Sequence, residues 1–427
     1  KQTNKRTTTA ASMADSGTNE STDSSATRKA PDGATEEELS IANTRPLKRL
    51  RALEVTFPEF VLHPEAKHVY LKFFSSSELG SICRALGTPV STTYIRVNLL
   101  VTTREEMITQ LTHFFQGRFV FEADPVMPEV IVCVANEEGF TKPLPTFPEV
   151  FVDSYCAGTI LRGADVAAPG IVGMAPRIIA QGMNVSVFQT FGGVTATTLD
   201  FEAVKNKMFL GNGIVQMSRK EFLKSDHPAE EIGVRLVDRH FLIPSIGSMW
   251  SDSICVQSLP SILATRALDP QPGEIILDAC AAPGVKTTHI ATLMNNTGRV
   301  IAVDRKKSGI QKLNQRCDEW QLTNVRALTD DVTQLLWVGD LPIPYPKQIS
   351  TGKMVFPPES VDRVLCDVPC SGHGIRPAWK DSNPFDLRDI ANYQRRILLA
   401  AAYLVKVGGI IVYTTRTICP LENEENI

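Results

Sequence analysis

One stretch, residues 274–294, reads EIILDACAAPGVKTTHIATLM and constrains the fold more than any other part of the chain. Its first six residues carry a short apolar run, Ile275, Ile276 and Leu277, in part β-branched, which suits a buried strand. The small-residue turn Cys280-Ala281-Ala282-Pro283-Gly284 follows. Beyond it the apolar residues Ile290, Leu293 and Met294 recur at helical spacing. A strand that breaks into a helix across a glycine turn is the first unit of a nucleotide-type α/β fold, with the ligand at the carboxyl end of the strand. A second strand, 299–303, ends in Asp304, an acidic side chain suited to ribose hydroxyls. The dinucleotide pattern G-x-G-x-x-G is absent.

Further βα alternation follows the same plan. A third strand is expected over 325–328 with Asp331 just beyond it, a fourth over 361–366, and a fifth over 409–413. The helix at 393–405 is apolar on nearly every turn and is expected to be buried. This repetition predicts a mainly parallel, doubly wound sheet.

The rest of the chain divides by composition. Residues 1–40 are Ser-, Thr- and Ala-rich and are expected to be disordered. Residues 45–51, RPLKRLR, form a basic cluster that reads as a solvated linker or a nuclear-import signal. From 57 to about 140 the pattern is α+β: helical turns at Phe73, Phe74, Leu79, Ile82 and Leu86, an alternating strand at 93–98, and a capping box at Thr103 and Glu106. Residues 150–237 hold short β-type runs between glycines, with strands expected at 185–188 and 207–210 and a turn at Gly211-Asn212-Gly213. The catalytic core is expected over 255–427.

With 427 residues and 43% hydrophobic content the chain has room for two or three cores. Its net charge of -3 means that any nucleic-acid contact must come from a local basic face. Nine scattered cysteines, an odd number without a CxxC pair, argue against a disulfide framework or a zinc site. A reducing compartment, cytoplasmic or nuclear, and no metal are expected. No apolar run approaches the roughly 18 residues of a membrane span. The chain begins at Lys1 rather than at methionine, and is expected to be incomplete.

Residues 278–287, DACAAPGVKT, resemble motif I of the Nol1/Nop2/Sun (RsmB-type) RNA cytosine-5 methyltransferases, usually D-x-C-A-A-P-G-G-K-T. Residues 367–372, DVPCSG, resemble the family's motif IV, D-A-P-C-S-G. Residues 92–98, TTYIRVN, resemble the T-x-x-R-V-N element of its N-terminal RNA-binding region. There Arg96 reads equally as a structural ion-pair partner or a phosphate contact. Residues 162–171, RGADVAAPGI, resemble a PUA domain, a small β-barrel that grips structured RNA, and Arg162, Arg219 and Lys220 are candidates to lie near that RNA. An inserted PUA module marks the sixth Sun-domain subgroup, which acts on the acceptor end of particular tRNAs.

The resemblance implies a Rossmann-like class I methyltransferase core with S-adenosyl-L-methionine as cofactor. It assigns the cofactor to Cys280, Ala281, Ala282, Pro283, Gly284, Val285, Lys286, Asp304, Asp331 and Asp367. The thiols of Cys280 and Cys366 are assigned to packing. Cytosine C5 is too electron-poor to attack a methyl sulfonium unaided, so the chemistry needs a thiolate adduct at C6, an acid at the pyrimidine edge and a base. The implied roles are Asp367 on the cytosine, Cys370 in product release, and Lys286 with Asp367 in proton removal.

Two positions depart from the family. Val285 stands at the second motif I glycine, where a β-branched residue resists φ > 0 and adds bulk beside the ligand, which calls cofactor affinity into question. Arg416 stands at the motif VI cysteine, the family's nucleophile, and a guanidinium cannot add to a pyrimidine. Cys419, three residues on, is expected to lie out of attacking position. Cys370 is the substitute nucleophile. The alternatives are a methyltransferase-derived RNA-binding protein without turnover, and a methyltransferase for a protein or small molecule. Family members continue beyond motif VI into a helix and hairpin, so the sheet edge is expected to be uncovered at this end.

Overall fold

The computed structural model describes residues 57, 59–136, 138, 140–175, 180–190, 207–217, 221, 231–246, 249–336, 347–348, 354–379 and 386–427. The expected disordered segment 1–40, the basic cluster 45–51, Arg219 and Lys220 lie outside them.

Two helices come first, α1 (Pro64–Tyr70) and α2 (Ser76–Gly87). Ser75 begins α2 with a capping box to Glu78, the reciprocal arrangement that satisfies two orphan amides. Next come β1 (Thr92–Val97), α3 (Arg104–Phe115), β2 (Phe119–Ala123) and β3 (Val130–Ala135). The expected Thr103–Glu106 capping box starts α3. The strands belong to an antiparallel sheet that a later strand, β10 (Ile254–Val256), completes in the order β10-β1-β3-β2.

A second unit lies between β3 and β10. It comprises β4 (Glu149–Val152), α4 (Ser154–Ile160), β5 (Val166–Ala167), β6 (Ile171–Ala175), β7 (Asn184–Thr190), β8 (Lys207–Val215) and β9 (Ile232–Arg239). These strands form one mixed six-stranded sheet in the order β5-β9-β8-β7-β4-β6. The turn expected at Gly211-Asn212-Gly213 is absent, because β8 runs straight through it. The glycines serve close approach instead. A Cβ at Gly213 would sit 2.5 Å from the Arg235 carbonyl oxygen of β9, at a register shift between the two strands.

The chain then returns to the first sheet as β10 (Ile254–Val256), which pairs antiparallel with β1. The core expected from residue 255 thus opens on a strand that pairs with the small sheet while its Cys255 packs with Leu268 and Ile276 of the large domain, whose first helix is α5 (Leu259–Leu268). There follow β11 (Ile275–Asp278), α6 (Val285–Leu293), β12 (Arg299–Asp304), α7 (Lys307–Glu319) and β13 (Val325–Thr329). A small ribbon pairs β14 (Lys347–Gln348) with β15 (Met354–Val355). The last elements are β16 (Val361–Asp367), α8 (Leu387–Leu404) and β17 (Val405–Thr414). The sheet order is β13-β12-β11-β16-β17 and every recorded pairing is parallel. Alternate strand residues feed two cores, Ile276 and Val300 on the face of α6 and α7, Leu277 and Ile301 on the face of α8. That is the expected doubly wound sheet.

Two expectations change. The expected burial of α8 holds for one face, with Ile397, Ala401 and Leu404 against the sheet, whereas Leu399 is 57% and Tyr403 54% exposed on the other. The N-terminal α+β region is not one packing unit either. Ala66, Tyr70 and Leu79 of α1 and α2 pack with Leu387 and Cys419 of the large domain, whereas α3 packs on the small sheet.

A buried polar chain joins the small sheet to the large domain. Arg96 of β1 is fully buried and its guanidinium lies 4.2 Å from the centre of the Trp320 ring. It donates to Gln257 Oε1 at 2.8 Å and to Thr288 Oγ1 at 2.8 Å. Neither expected role, ion-pair partner or phosphate contact, holds, because its direct acceptors are neutral groups inside the protein. The Gln257 amide donates to His289 Nδ1 (3.4 Å), which leaves His289 Nε2–H to donate to Glu129 Oε1 at 3.0 Å. Arg266 also ion-pairs with Glu129.

Burial pushes His289 down from 6.5 to about 4. Desolvation opposes ionisation of Glu129, yet the hydrogen bonds from His289 and Arg266 outweigh it and hold the carboxyl at about 2 against 4.5. Both folded values are depressed, so both contributions are present at neutral pH and lost on acidification. His289 costs stability as pH falls from 6.5 toward 4, Glu129 as it falls from 4.5 toward 2. Denaturant unfolding at stepped pH is expected to show a loss on the order of 3 kcal/mol across the His289 window. His289→Gln, which removes the titrating group, should flatten that limb.

Candidate active site

The site is built where β11, β12, β13 and β16 end on the same side of the sheet. After β11, Ala279 N–H donates to the Leu365 carbonyl and Ala281 N–H to the Val303 carbonyl, both at 2.9 Å, which ties the turn to its two neighbouring strands. Gly284 sits at φ +96°, and a Cβ there would lie 2.9 Å from Leu313 Cγ. Val285 is the first residue of α6, outside the positive-φ set, with its side chain packed against the core under α6 and α7. The concern over Val285 is thus corrected. The left-handed conformation falls on Gly284, and the valine faces the core.

Around this turn the acidic groups are engaged by hydrogen-bond donors. Asp304 accepts from the Ala282 amide at 3.1 Å and from the Lys306 amide at 2.8 Å, with acceptor capacity remaining. Asp331 binds Thr333 through Oδ1, and its Oδ2 accepts from the Tyr393 hydroxyl at 3.2 Å. Arg305 approaches the same Oδ2 at 3.8 Å and stands over the Tyr393 ring at 5.1 Å. The two strand-end carboxylates and the small-residue turn form the polar edge that the ribose of a nucleoside cofactor would need, so the residues present fit such a group.

Across the cleft, Lys286 Nζ meets Asp367 Oδ2 at 2.7 Å, with side chains 10% and 20% exposed. This pair links α6 to the end of β16. Beyond Asp367 the chain turns so that Cys370 Sγ accepts the Arg416 backbone amide at 3.2 Å. The turn is fastened to the segment after β17 at two further points, Ser371 Oγ with Thr417 Oγ1 at 2.8 Å and the Gly374 amide on the Arg416 carbonyl at 2.9 Å. Burial raises the Cys370 thiol above its ordinary value, with the Arg416 and Gly372 amides opposing the rise.

The other thiols near the cleft are packing groups. Cys366 is fully buried, and burial pushes it up to about 12. Burial also drives Cys280 well above its ordinary value. Cys419 is fully buried against Tyr70 and Leu79 and raised to about 11, so it cannot replace a motif VI thiol. Arg416 itself is exposed, and its contact to Cys370 runs through the backbone amide, which any residue at that position would supply. Arg162, in the turn after α4, donates to the Pro377 carbonyl at 3.3 Å, close behind the Cys370 loop.

Four residues escaped the sequence reading. Asp278 is buried, accepts from the Thr287 hydroxyl at 2.7 Å, and is pushed up to about 7 by desolvation. Tyr393 was assigned to an apolar helix stripe. Gln394 and Glu422 are fully buried beneath the Cys370 turn. For Asp278 and Gln394 the signal is a polar group held at core spacing, which hydrophobic periodicity does not register, and no local pattern marks Tyr393 or Glu422.

Comparison with known proteins gives one consistent picture. Residues 265–427 match the family described as 16S rRNA methyltransferase RsmB/F. The chain is 33% identical over 401 residues to the tRNA (cytosine(72)-C(5))-methyltransferase NSUN6 of Mus musculus, covering 87% of this chain and 80% of the relative. Against the human NSUN6 the figures are 33% identity, 87% and 81%. The crystal structure of NSun6 from Pyrococcus horikoshii with SFG superposes with a TM-score of 0.63 at 28% identity, covering 85% of each chain.

The turn geometry predicts unequal costs at its two neighbouring positions. Gly284→Ala combines a positive φ with a clash against Leu313 and is expected to destabilise by about 2 kcal/mol or more. Val285→Gly loses only packing and helix propensity, roughly 1–2 kcal/mol. Equilibrium unfolding of both variants checks the order.

Proposed function

The chain belongs to the family of RNA cytosine-C5 methyltransferases that includes NSUN6, and from that premise we propose that it methylates C5 of a cytosine in tRNA, using a thiolate adduct at C6 formed by Cys370. The family uses S-adenosylmethionine, and the archaeal structural relative was solved with SFG, an analogue of it. The observation that carries the reading is the Lys286–Asp367 pair at 2.7 Å, which joins the small-residue turn to the loop bearing Cys370.

S-adenosylmethionine supplies the methyl group as an electrophilic sulfonium. The small-residue turn 280–284, Asp304 and Asp331 hold its nucleoside side. Asp367 accepts from the pyrimidine edge and orients the ring over Cys370. The Cys370 thiolate adds to C6, and the electrons of the C5=C6 bond become available at C5 for the new carbon–carbon bond. The Lys286–Asp367 pair then takes the C5 proton, the double bond re-forms, and the thiolate leaves C6. Because burial holds the free thiol protonated, the rate should rise with pH toward and above 9.

The six-stranded unit is read as the PUA module that grips the acceptor end, with residues 57–140 contributing the other RNA-binding surface. In support, Arg162 donates to the loop that follows Cys370, and Trp379 from the same loop is buried in the core of that unit. RNA held there would lie beside the thiol.

Arg416 favours a second reading, an RNA-binding protein without turnover, since the family's nucleophile is missing. One assay separates the two: purified protein, unmodified tRNA and methyl-labelled cofactor, comparing native chain, Cys370→Ala and Arg416→Cys. The first reading expects 5-methylcytosine from the native chain and a loss of at least about 100-fold in Cys370→Ala. Activity confined to Arg416→Cys would establish the second. Full activity in Cys370→Ala would remove Cys370 as the nucleophile. Label in protein or in a small molecule would exclude both.

A further inference from the structure

Glu422 lies in a single 3-10 turn, Pro420–Glu422, and is fully buried. Its Oε2 accepts the Ser371 amide at 2.9 Å and the Gln394 side-chain amide at 3.0 Å. Gln394 also donates to the Pro369 carbonyl at 2.9 Å, so the residues on either side of Cys370 are held by one polar unit. Glu422 Oε1 is buried and has no hydrogen-bond partner among the described residues. No ion pair of this carboxylate is recorded among the described residues. A carboxylate kept from water without a counter-ion is expensive to retain, so packing alone does not account for it.

The neighbouring Asn423 serves the same loop. It donates to the Thr417 and Cys419 carbonyls, both at 3.1 Å, and accepts from Thr415 Oγ1 at 2.6 Å. Glu422 and Asn423 therefore shape both walls around the thiol, the Cys370 turn on one side and the Arg416 segment on the other. Sequence places them six and seven residues past Arg416, where no chemical role was assigned.

We propose that Glu422 is a positioning residue for Cys370: through the Ser371 amide, and through Gln394 on the Pro369 carbonyl, it holds both flanks of the thiol, and its carboxyl group there disfavours the thiolate. The groups facing Cys370 are Arg416, Glu422 and the Tyr413 hydroxyl of β17. Those facing Glu422 are Tyr70 of α1, Tyr413, Cys419 and Cys370. Burial is the main force raising the thiol, the Arg416 and Gly372 amides lower it, and the smaller effects are Glu422 raising it and the Arg416 charge lowering it. The consequence is a thiol kept quiet until substrate changes the balance. This rests on the reading of Cys370 as the reacting group, but the test does not depend on methyl transfer.

Full-length protein is alkylated with iodoacetamide across a pH series, and the Cys370 peptide is quantified by mass spectrometry. Glu422→Gln keeps an oxygen for the Ser371 amide and removes the charge. Its Cys370 midpoint is expected to move to lower pH by about one unit. A purely structural role would change the alkylation rate equally at all pH values, so an unmoved midpoint overturns the charge effect. Glu422→Ala removes the acceptor as well, and is expected to lose amide-exchange protection at Ser371. Retained protection overturns the positioning. If Glu422→Gln does not fold, Ser371 exchange in the native chain decides: protection comparable to α8 is expected, and exchange at the rate of an exposed loop overturns the contact. Absence of methylation in both the native and Arg416→Cys chains would sink the proposed function while leaving this profile to be judged separately.

Discussion

The buried chain from Arg96 through Gln257 and His289 to Glu129 is the constraint on which the arrangement depends. A fully buried arginine costs several kcal/mol unless its donors are matched, and here the groups that match its Nε and Nη2 come from distant parts of the sequence. Gln257 follows β10, Thr288 and His289 are on α6, and Glu129 precedes β3. Satisfying one side chain thus brings the small sheet against the helix that carries Lys286. The small-residue turn can hold its place at the strand ends because the helix leaving it is clamped at its first turns. Arg96 also reaches the Val285 carbonyl at 3.3 Å, so the clamp begins at the helix's first residue.

The parallel sheet was readable because its strands are short apolar runs ended by acidic residues, a pattern that survives without tertiary information. Asp304, Asp331 and Asp367 all fell where the reading put them, at or just past strand ends, since strand termini in such sheets converge on one edge. Arg96 was not readable. A single arginine in an alternating strand looks like a solvent-facing or phosphate-facing group, and only the packing of Trp320 and α6 reveals an interior one. Gly211 and Gly213 misled for a related reason, because glycine signals a turn or a close strand approach equally well. Glu422 was invisible because nothing local marks a carboxylate that works through another residue's amide.

At residue 416 the main chain and the side chain do separate work. The backbone still donates to Cys370 and still accepts from Gly374, so the two loops remain joined whichever side chain projects from that position. Scaffold and reactivity are separable here, since hydrogen bonds of the main chain carry the first and a single side chain the second.

The return of β10 to pair with β1 has a consequence for synthesis. Until Ile254–Val256 emerges, the small sheet lacks one of its strands, and β1 presents an open edge containing an arginine that has not yet found its acceptors. The strands of the six-stranded unit, which among the described residues pair only with one another, are free to pair during that interval, although Trp379 enters their core only later. The nascent chain can therefore pair the strands of its interior piece before those of its first one, and the earliest strands wait on a late partner to become a closed surface.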